Sequence, residues 1–268
     1  MNELGFDFLC VSTECFTMSF YHDVLLRLLH AILAVTFFIQ SCIWTAKKPL
    51  QFQYRKRTRD RLQSDARSLN KLPLHIGLLV LEDDISYTDV ANIVVWCMTV
   101  GISYISLYDT QGDFKRNCTK INNEILKKQE EVLGNESTKC LFHLYRGGIE
   151  VHNKVNDCRI HVNLLSLEDG RQDIVRAAKY FCQQVACKRR KVNDLNPTVL
   201  ENDLQGNDIF PDPDLIIKFG DVDSLLGFLP YQIRLSEILC SSSHHNMDYK
   251  VFISLLYRYA GCAQRYGK

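Results

Sequence analysis

Four short stretches carry side chains of the kinds that do chemistry. Arg265-Tyr266-Gly267-Lys268 joins a guanidinium fork suited to phosphate oxygens with a glycine whose backbone N–H can approach a ligand closely, a pairing able to cradle a diphosphate. The same residues also suit the frayed end of a helix, with basic side chains beside its negative dipole end. Glu82-Asp83-Asp84 offers three carboxylates for Mg²⁺ on a phosphorylated substrate, or a polar loop opening a helix. Glu168-Asp169-Gly170-Arg171 could present helix N-terminal amides and an arginine to phosphate, and serves equally well as a helix cap. His244-His245, between three serines and Asn246, read as turn residues rather than metal ligands. The nucleotide-binding glycine loops and the Gly-x-Ser-x-Gly elbow are missing, so nucleotide-dependent and triad-hydrolase chemistry has no motif to stand on.

The elements that must position these residues follow from hydrophobic patterning. The 268-residue chain, 46% hydrophobic and with a formal net charge of +1, can bury one sizeable core and lacks the cationic excess of a general nucleic-acid binder. Its eleven cysteines form no Cys-x-x-Cys pair, which speaks against a zinc site or a disulfide framework and for a reducing compartment. Two sequons, at Asn117 and Asn135, point the other way.

Residues 1–23 form an N-terminal segment without periodicity, and Val24 to Trp44 is an apolar run of about 31 Å as a helix, matching a bilayer core. A basic block follows in residues 45–73 (Lys47, Lys48, Arg55, Lys56, Arg57, Arg59, Arg61, Arg67 and Lys71 against Asp60 and Asp65), which by the positive-inside rule puts the remaining domain, 74–268, in the cytosol and the N-terminus in the lumen.

Within that domain strands are expected at His75–Leu81, Ile102–Tyr108, Cys158–Leu167, Leu215–Phe219 and Glu237–Cys240. Helices are expected at 86–100, 114–133, 172–188, from Pro197, and at 248–264, whereas 140–156 shows no clear pattern. A basic run, Lys188 to Lys191, closes the third of these helices. Strands alternating with crossover-length helices imply an α/β fold, a central parallel sheet flanked by helices, with ligands at the carboxyl ends of the strands.

The blocks His75-Ile76-Gly77-Leu78, Val94 to Ser106, Glu168-Asp169-Gly170-Arg171, Asp212 to Gly220, Gly227 to Leu235 and Arg265-x-Gly267-Lys268, in this order, resemble the cis-prenyltransferase (undecaprenyl diphosphate synthase-like) family, and more closely its Nogo-B receptor branch. The departures matter as much as the matches. Leu81 falls where catalytic members carry the aspartate of Asp-Gly-Asn-Gly-Arg, and Glu82 falls at the following glycine. The segment Lys218-Phe-Gly-Asp-Val-Asp-Ser224 stands where the family has Arg-x-Gly-Gly-Glu-x-Arg-x-Ser.

The resemblance therefore implies a retained fold with no catalytic residue and no metal ligand of its own. It implies a required subunit of a dehydrodolichyl diphosphate synthase at the endoplasmic reticulum membrane, single-pass, paired with a catalytic cis-prenyltransferase that holds most of the Mg²⁺ coordination. In such a pair Arg265 and Gly267 would bind isopentenyl diphosphate in the partner's pocket, and Gly227 to Ile238 is a candidate pairing surface. A membrane receptor or sterol-trafficking scaffold is the other role associated with the branch.

Overall fold

The computed structural model describes residues 25–36, 60–62, 64–134, 141–151, 160–204 and 210–263. The chain divides into two compact units, Met1–Tyr54 and Arg55–Lys268. In the first, 25–36 is helical with exposed leucines. The rest of the expected 24–44 span lies outside the described residues. Among the described residues no helix is long and apolar enough to cross a membrane, so the fold supports the α/β expectation and leaves the spanning helix without structural support.

In the second unit, strands β1 (His75–Val80), β2 (Tyr104–Tyr108), β3 (Phe142–Arg146), β4 (Ile149–Glu150), β5 (Ile160–Leu165), β6 (Leu215–Phe219) and β7 (Glu237–Ser241) form one sheet in the order β4-β3-β5-β2-β1-β6-β7. Every pairing is parallel except β3 with β4. Helices, numbered from Tyr87, are α1 (Tyr87–Val100), α2 (Asp113–Arg116), α3 (Cys118–Leu133), α4 (Arg171–Ala186), α5 (Pro197–Leu204) and α6 (Tyr249–Gly261).

Local chemistry sets these boundaries. Ser86 caps α1 by accepting from the Asp89 N–H, and Gly101, at φ 105°, closes it in the left-handed conformation that costs glycine nothing. The helix expected over 114–133 is instead two. Asn117 separates them with φ −107° and ψ 36°, its side-chain amide donating to the Asp113 carbonyl and to Tyr87 Oη. The patternless stretch supplies β3 and β4, folded back through Gly147 and Gly148, both at positive φ.

The two faces of the sheet differ in character. One carries Ile76, Leu78 and Val80, Ile105 and Leu107, Val162 and Leu164, Leu215, Ile217 and Phe219, packed against α1, α3 and α6 in the main core. Leu69, in the expected basic linker, also joins this core. The opposite face has a smaller cluster, Leu79, Tyr108, Leu165, Ile216 and Phe228.

Two loops meet beside that cluster. The Cβ of an alanine at Gly170 would fall 1.9 Å from the Gly227 carbonyl oxygen. Tyr108 Oη donates to the Leu226 carbonyl at 2.6 Å, and burial raises the phenol to about 12, so it keeps the proton it donates. The loop after β5 and the loop after β6 are thus in backbone contact. Replacing Gly170 with alanine must push them apart, and we expect a loss of about 3 kcal/mol in urea-denaturation stability, the cost of overpacking a site whose neighbour is backbone.

Candidate functional site

In a parallel sheet the strand ends are where chemistry is built, and here each end carries a charged side chain. After β1, Glu82 Oε2 accepts from the His244 ring through Nδ1 and from the His244 backbone N–H at 3.0 Å. His244 Nε2 in turn accepts from the Ser86 N–H at 2.9 Å, which fixes the tautomer: the ring proton sits on Nδ1 and points at the carboxylate. Burial opposes the charged form of Glu82, but hydrogen bonds from Ser243 and His244 outweigh it and hold the carboxyl below its ordinary value.

His244 is fully buried, a correction to its reading as a simple turn residue. It braces the end of β1, the start of α1 and the loop after β7. Glu82, His244 and His245 bring potential ligand atoms within 4.8 Å of one another. Both His244 nitrogens are nevertheless engaged, and His245 Nε2 donates to the Asp84 carbonyl at 3.0 Å. Asp83 and Asp84 are exposed. Leu81 adds an aliphatic side chain at the same strand end, so the residues present do not form a donor set for Mg²⁺.

The other ends are closed in similar fashion. Asp109, after β2, is buried and accepts from the Asp113 N–H at 2.7 Å and the Phe114 N–H at 3.1 Å, capping α2. After β5, Asp169 accepts from the Ser166 N–H at 2.7 Å and pairs with Lys115. In Glu168-Asp169-Gly170-Arg171 the aspartate closes a capping box with Ser166 on the 3₁₀ turn Leu167–Asp169, while α4 itself, with Gly170 at its N-cap, has no side-chain cap hydrogen bond. Near the end of β6, the buried Lys218 donates to the Val222 carbonyl, with Asp223 3.8 Å away.

Arg265 and Gly267 lie outside the described residues, which end in this region at residue 263 just beyond α6. The expected pairing segment divides. Phe228 is buried in the smaller core cluster, whereas Leu235 and Ile238, the latter on the edge strand β7, are exposed.

Sequence reasoning missed a polar row on the second sheet face. His143, His161, Tyr104 and His75 are register partners across β3, β5, β2 and β1. The rings of His143 and His161, and of His161 and Tyr104, stack at 5.5 and 5.0 Å. Beside them His75 Nε2 accepts from Ser106 Oγ at 2.9 Å, while its Nδ1–H donates to the Pro211 carbonyl at 2.6 Å. Burial drives His75 down to about 4 against the weaker pull of the Pro211 bond and of Asp214. His75 and Ser106 line a cavity of about 590 Å³ that also reaches Asn163, Arg176, Tyr180 and Gln232. The signal was available in the period-2 alternation His75-x-Gly77, Tyr104-x-Ser106 and His161-x-Asn163, which the aliphatic residues between them obscured.

Comparison with known proteins agrees with this geometry. Residues 84–267 match the prenyltransferase family model described as a putative undecaprenyl diphosphate synthase. A mouse protein named dehydrodolichyl diphosphate synthase complex subunit Nus1 is 51% identical over 210 residues, 78% of this chain and 70% of that one. The chain belongs to the cis-prenyltransferase family. The human subunit of the same name is 50% identical over 212 residues, covering 78% of this chain and 72% of its own. A crystal structure of lavandulyl diphosphate synthase from Lavandula x intermedia shares the fold, with a TM-score of 0.53 at 16% identity over 73% of this chain and 98% of that one.

Two outcomes follow from the site. Removing the buried ring in His244→Ala leaves the Ser86 N–H unpaired and takes the ring donor from Glu82, which keeps the backbone N–H of residue 244 and Ser243, and with the cavity left behind should cost about 3 kcal/mol by urea denaturation, against less than about 1 kcal/mol for His245→Ala. His75 titrates near 4 in the folded chain and near 6.5 unfolded. Between these values the unfolded state binds the extra proton, so stability falls as pH drops from 6.5 towards 4, by up to about 3 kcal/mol. In His75→Gln that part of the pH dependence should vanish from denaturation curves taken across the window.

Proposed function

We propose that this chain is the non-catalytic, required subunit of a heteromeric dehydrodolichyl diphosphate synthase, which condenses isopentenyl diphosphate onto an allylic diphosphate. The observation that carries the reading is the self-neutralised strand end. Glu82 is spent on His244, Lys218 on Val222 and Asp169 on Lys115, which leaves these strand ends, among the described residues, without an open hard-oxygen or phosphate-binding set. The names of the relatives that are half identical to the chain support the same reading.

In this proposal the catalytic partner holds Mg²⁺ and both reacting carbons. This chain contributes Arg265 and the Gly267 N–H, which neutralise and orient the diphosphate of isopentenyl diphosphate and so improve the geometry of attack. The edge strand β7 and Leu235 form part of the pairing surface. The apolar run 24–44 with its basic flank anchors the complex in the endoplasmic reticulum membrane with the prenyltransferase-like domain in the cytosol.

The test is prenyl transfer by the isolated chain, by a catalytic cis-prenyltransferase subunit alone, and by the two together. We expect product at full rate only from the mixture. Measurable transfer by this chain alone sinks the proposal, and a mixture no faster than the partner alone favours a receptor or scaffold role. Within the active mixture, Arg265→Ala should lower the turnover rate roughly 10²-fold, the loss typical of removing one positioned donor at a developing charge, with the complex still co-purifying.

A further inference from the structure

We propose that the connection between α4 and α5, from Lys188 to Leu195, is a contact surface for an anionic lipid bilayer. Helix α4 has no basic residue in its last turn. The run Lys188-Arg189-Arg190-Lys191 lies beyond the helix end, where compensation of the helix dipole does not account for it. Lys188 occupies a left-handed position, φ 58°, that favours glycine, and the Arg189 and Arg190 N–H groups both turn back to the Gln184 carbonyl, at 2.9 and 3.3 Å. The four cations are therefore presented on a formed turn.

Only one of them is consumed by the fold. Arg190 Nη1 donates to Asp203 Oδ2 at 2.7 Å, and its guanidinium lies 5.8 Å over the Phe181 ring, fastening the turn to α5 and α4. Lys188, Arg189 and Lys191 are exposed, with no side-chain partner among the described residues. The chain then makes a single 3₁₀ turn, Val192–Asp194, held by the Asp194 carboxylate accepting from the Lys191 N–H at 2.6 Å. At its two ends Val192 is 70% and Leu195 52% exposed.

Cations alone would suit an acidic peptide as well as a lipid headgroup. Two aliphatic side chains held out just beyond the cations favour a surface that is anionic on top and hydrocarbon beneath, since lysine and arginine remain at the headgroups while short apolar residues enter the interface. The proposal does not depend on the anchor at 24–44.

Trypsin cuts after each of the four cations, so it reads the contact directly. The full chain is digested alone, with phosphatidylcholine vesicles and with vesicles that also contain phosphatidylserine, and peptides ending at residues 188–191 are quantified. We expect cleavage there to slow roughly tenfold or more on the anionic vesicles and little on neutral ones. It should recover near 1 M salt, where the screening length falls to about 3 Å. The double variant Val192→Glu/Leu195→Glu, at exposed positions and with an unchanged melting temperature, should lose the protection, as should Lys188→Glu/Lys191→Glu. Equal protection on both vesicle types, no protection on either, or protection by soluble polyglutamate that the apolar variant retains would each overturn the proposal, the last in favour of an acidic protein partner. Flotation on neutral vesicles reports the 24–44 anchor separately.

Discussion

The imidazole of His244 is the constraint on which the functional half of the domain turns. It is fully buried, takes the Ser86 N–H on one nitrogen and gives its proton to Glu82 with the other. A buried ring in that place is stable only because both edges are satisfied, and each partner belongs to a different segment. The end of β1 is therefore the hub of a structural network. Asp109, Asp169 and Lys218 follow the same logic at the neighbouring ends, each turned inward to a cap, an ion pair or a loop carbonyl. What is left is a prenyltransferase scaffold whose polar strand ends stabilise the fold itself.

The two sheet faces divide the remaining work. One is nearly all aliphatic and pays most of the entropic cost of ordering the chain through burial against α1, α3 and α6. The other alternates aliphatic with polar residues, and its row of histidine and tyrosine rings lies beside a cavity instead of a dense core. Keeping His75 neutral is part of that arrangement, because a charged ring could not accept from Ser106.

Much of this was legible before any coordinates. The aliphatic runs of β1, β2 and β6, the Ser86 cap and the Gly101 and Gly134 stops are strong local signals, and each appears where patterning puts it. The losses have physical causes. β4 is a two-residue edge strand, and β3 mixes aromatic and aliphatic with polar side chains beside it, so neither shows the continuous aliphatic run that marks the central strands. Asn117 breaks a helix through side-chain hydrogen bonds that composition does not reveal. His244 looks like a turn residue until the fold brings Glu82 to it across more than 150 residues of sequence. The brace between them was not legible, because no local pattern links two side chains so far apart in the sequence.

The sheet also has unlike borders. At one, β4 offers only Ile149 and Glu150, too short to template another strand. At the other, β7 runs five residues, with Ile238 and Cys240 facing solvent on either side of the buried Leu239. Backbone groups without partners on their outer side therefore concentrate along a single margin. Of the two margins, only β7 is long enough to accept a further strand by main-chain hydrogen bonding.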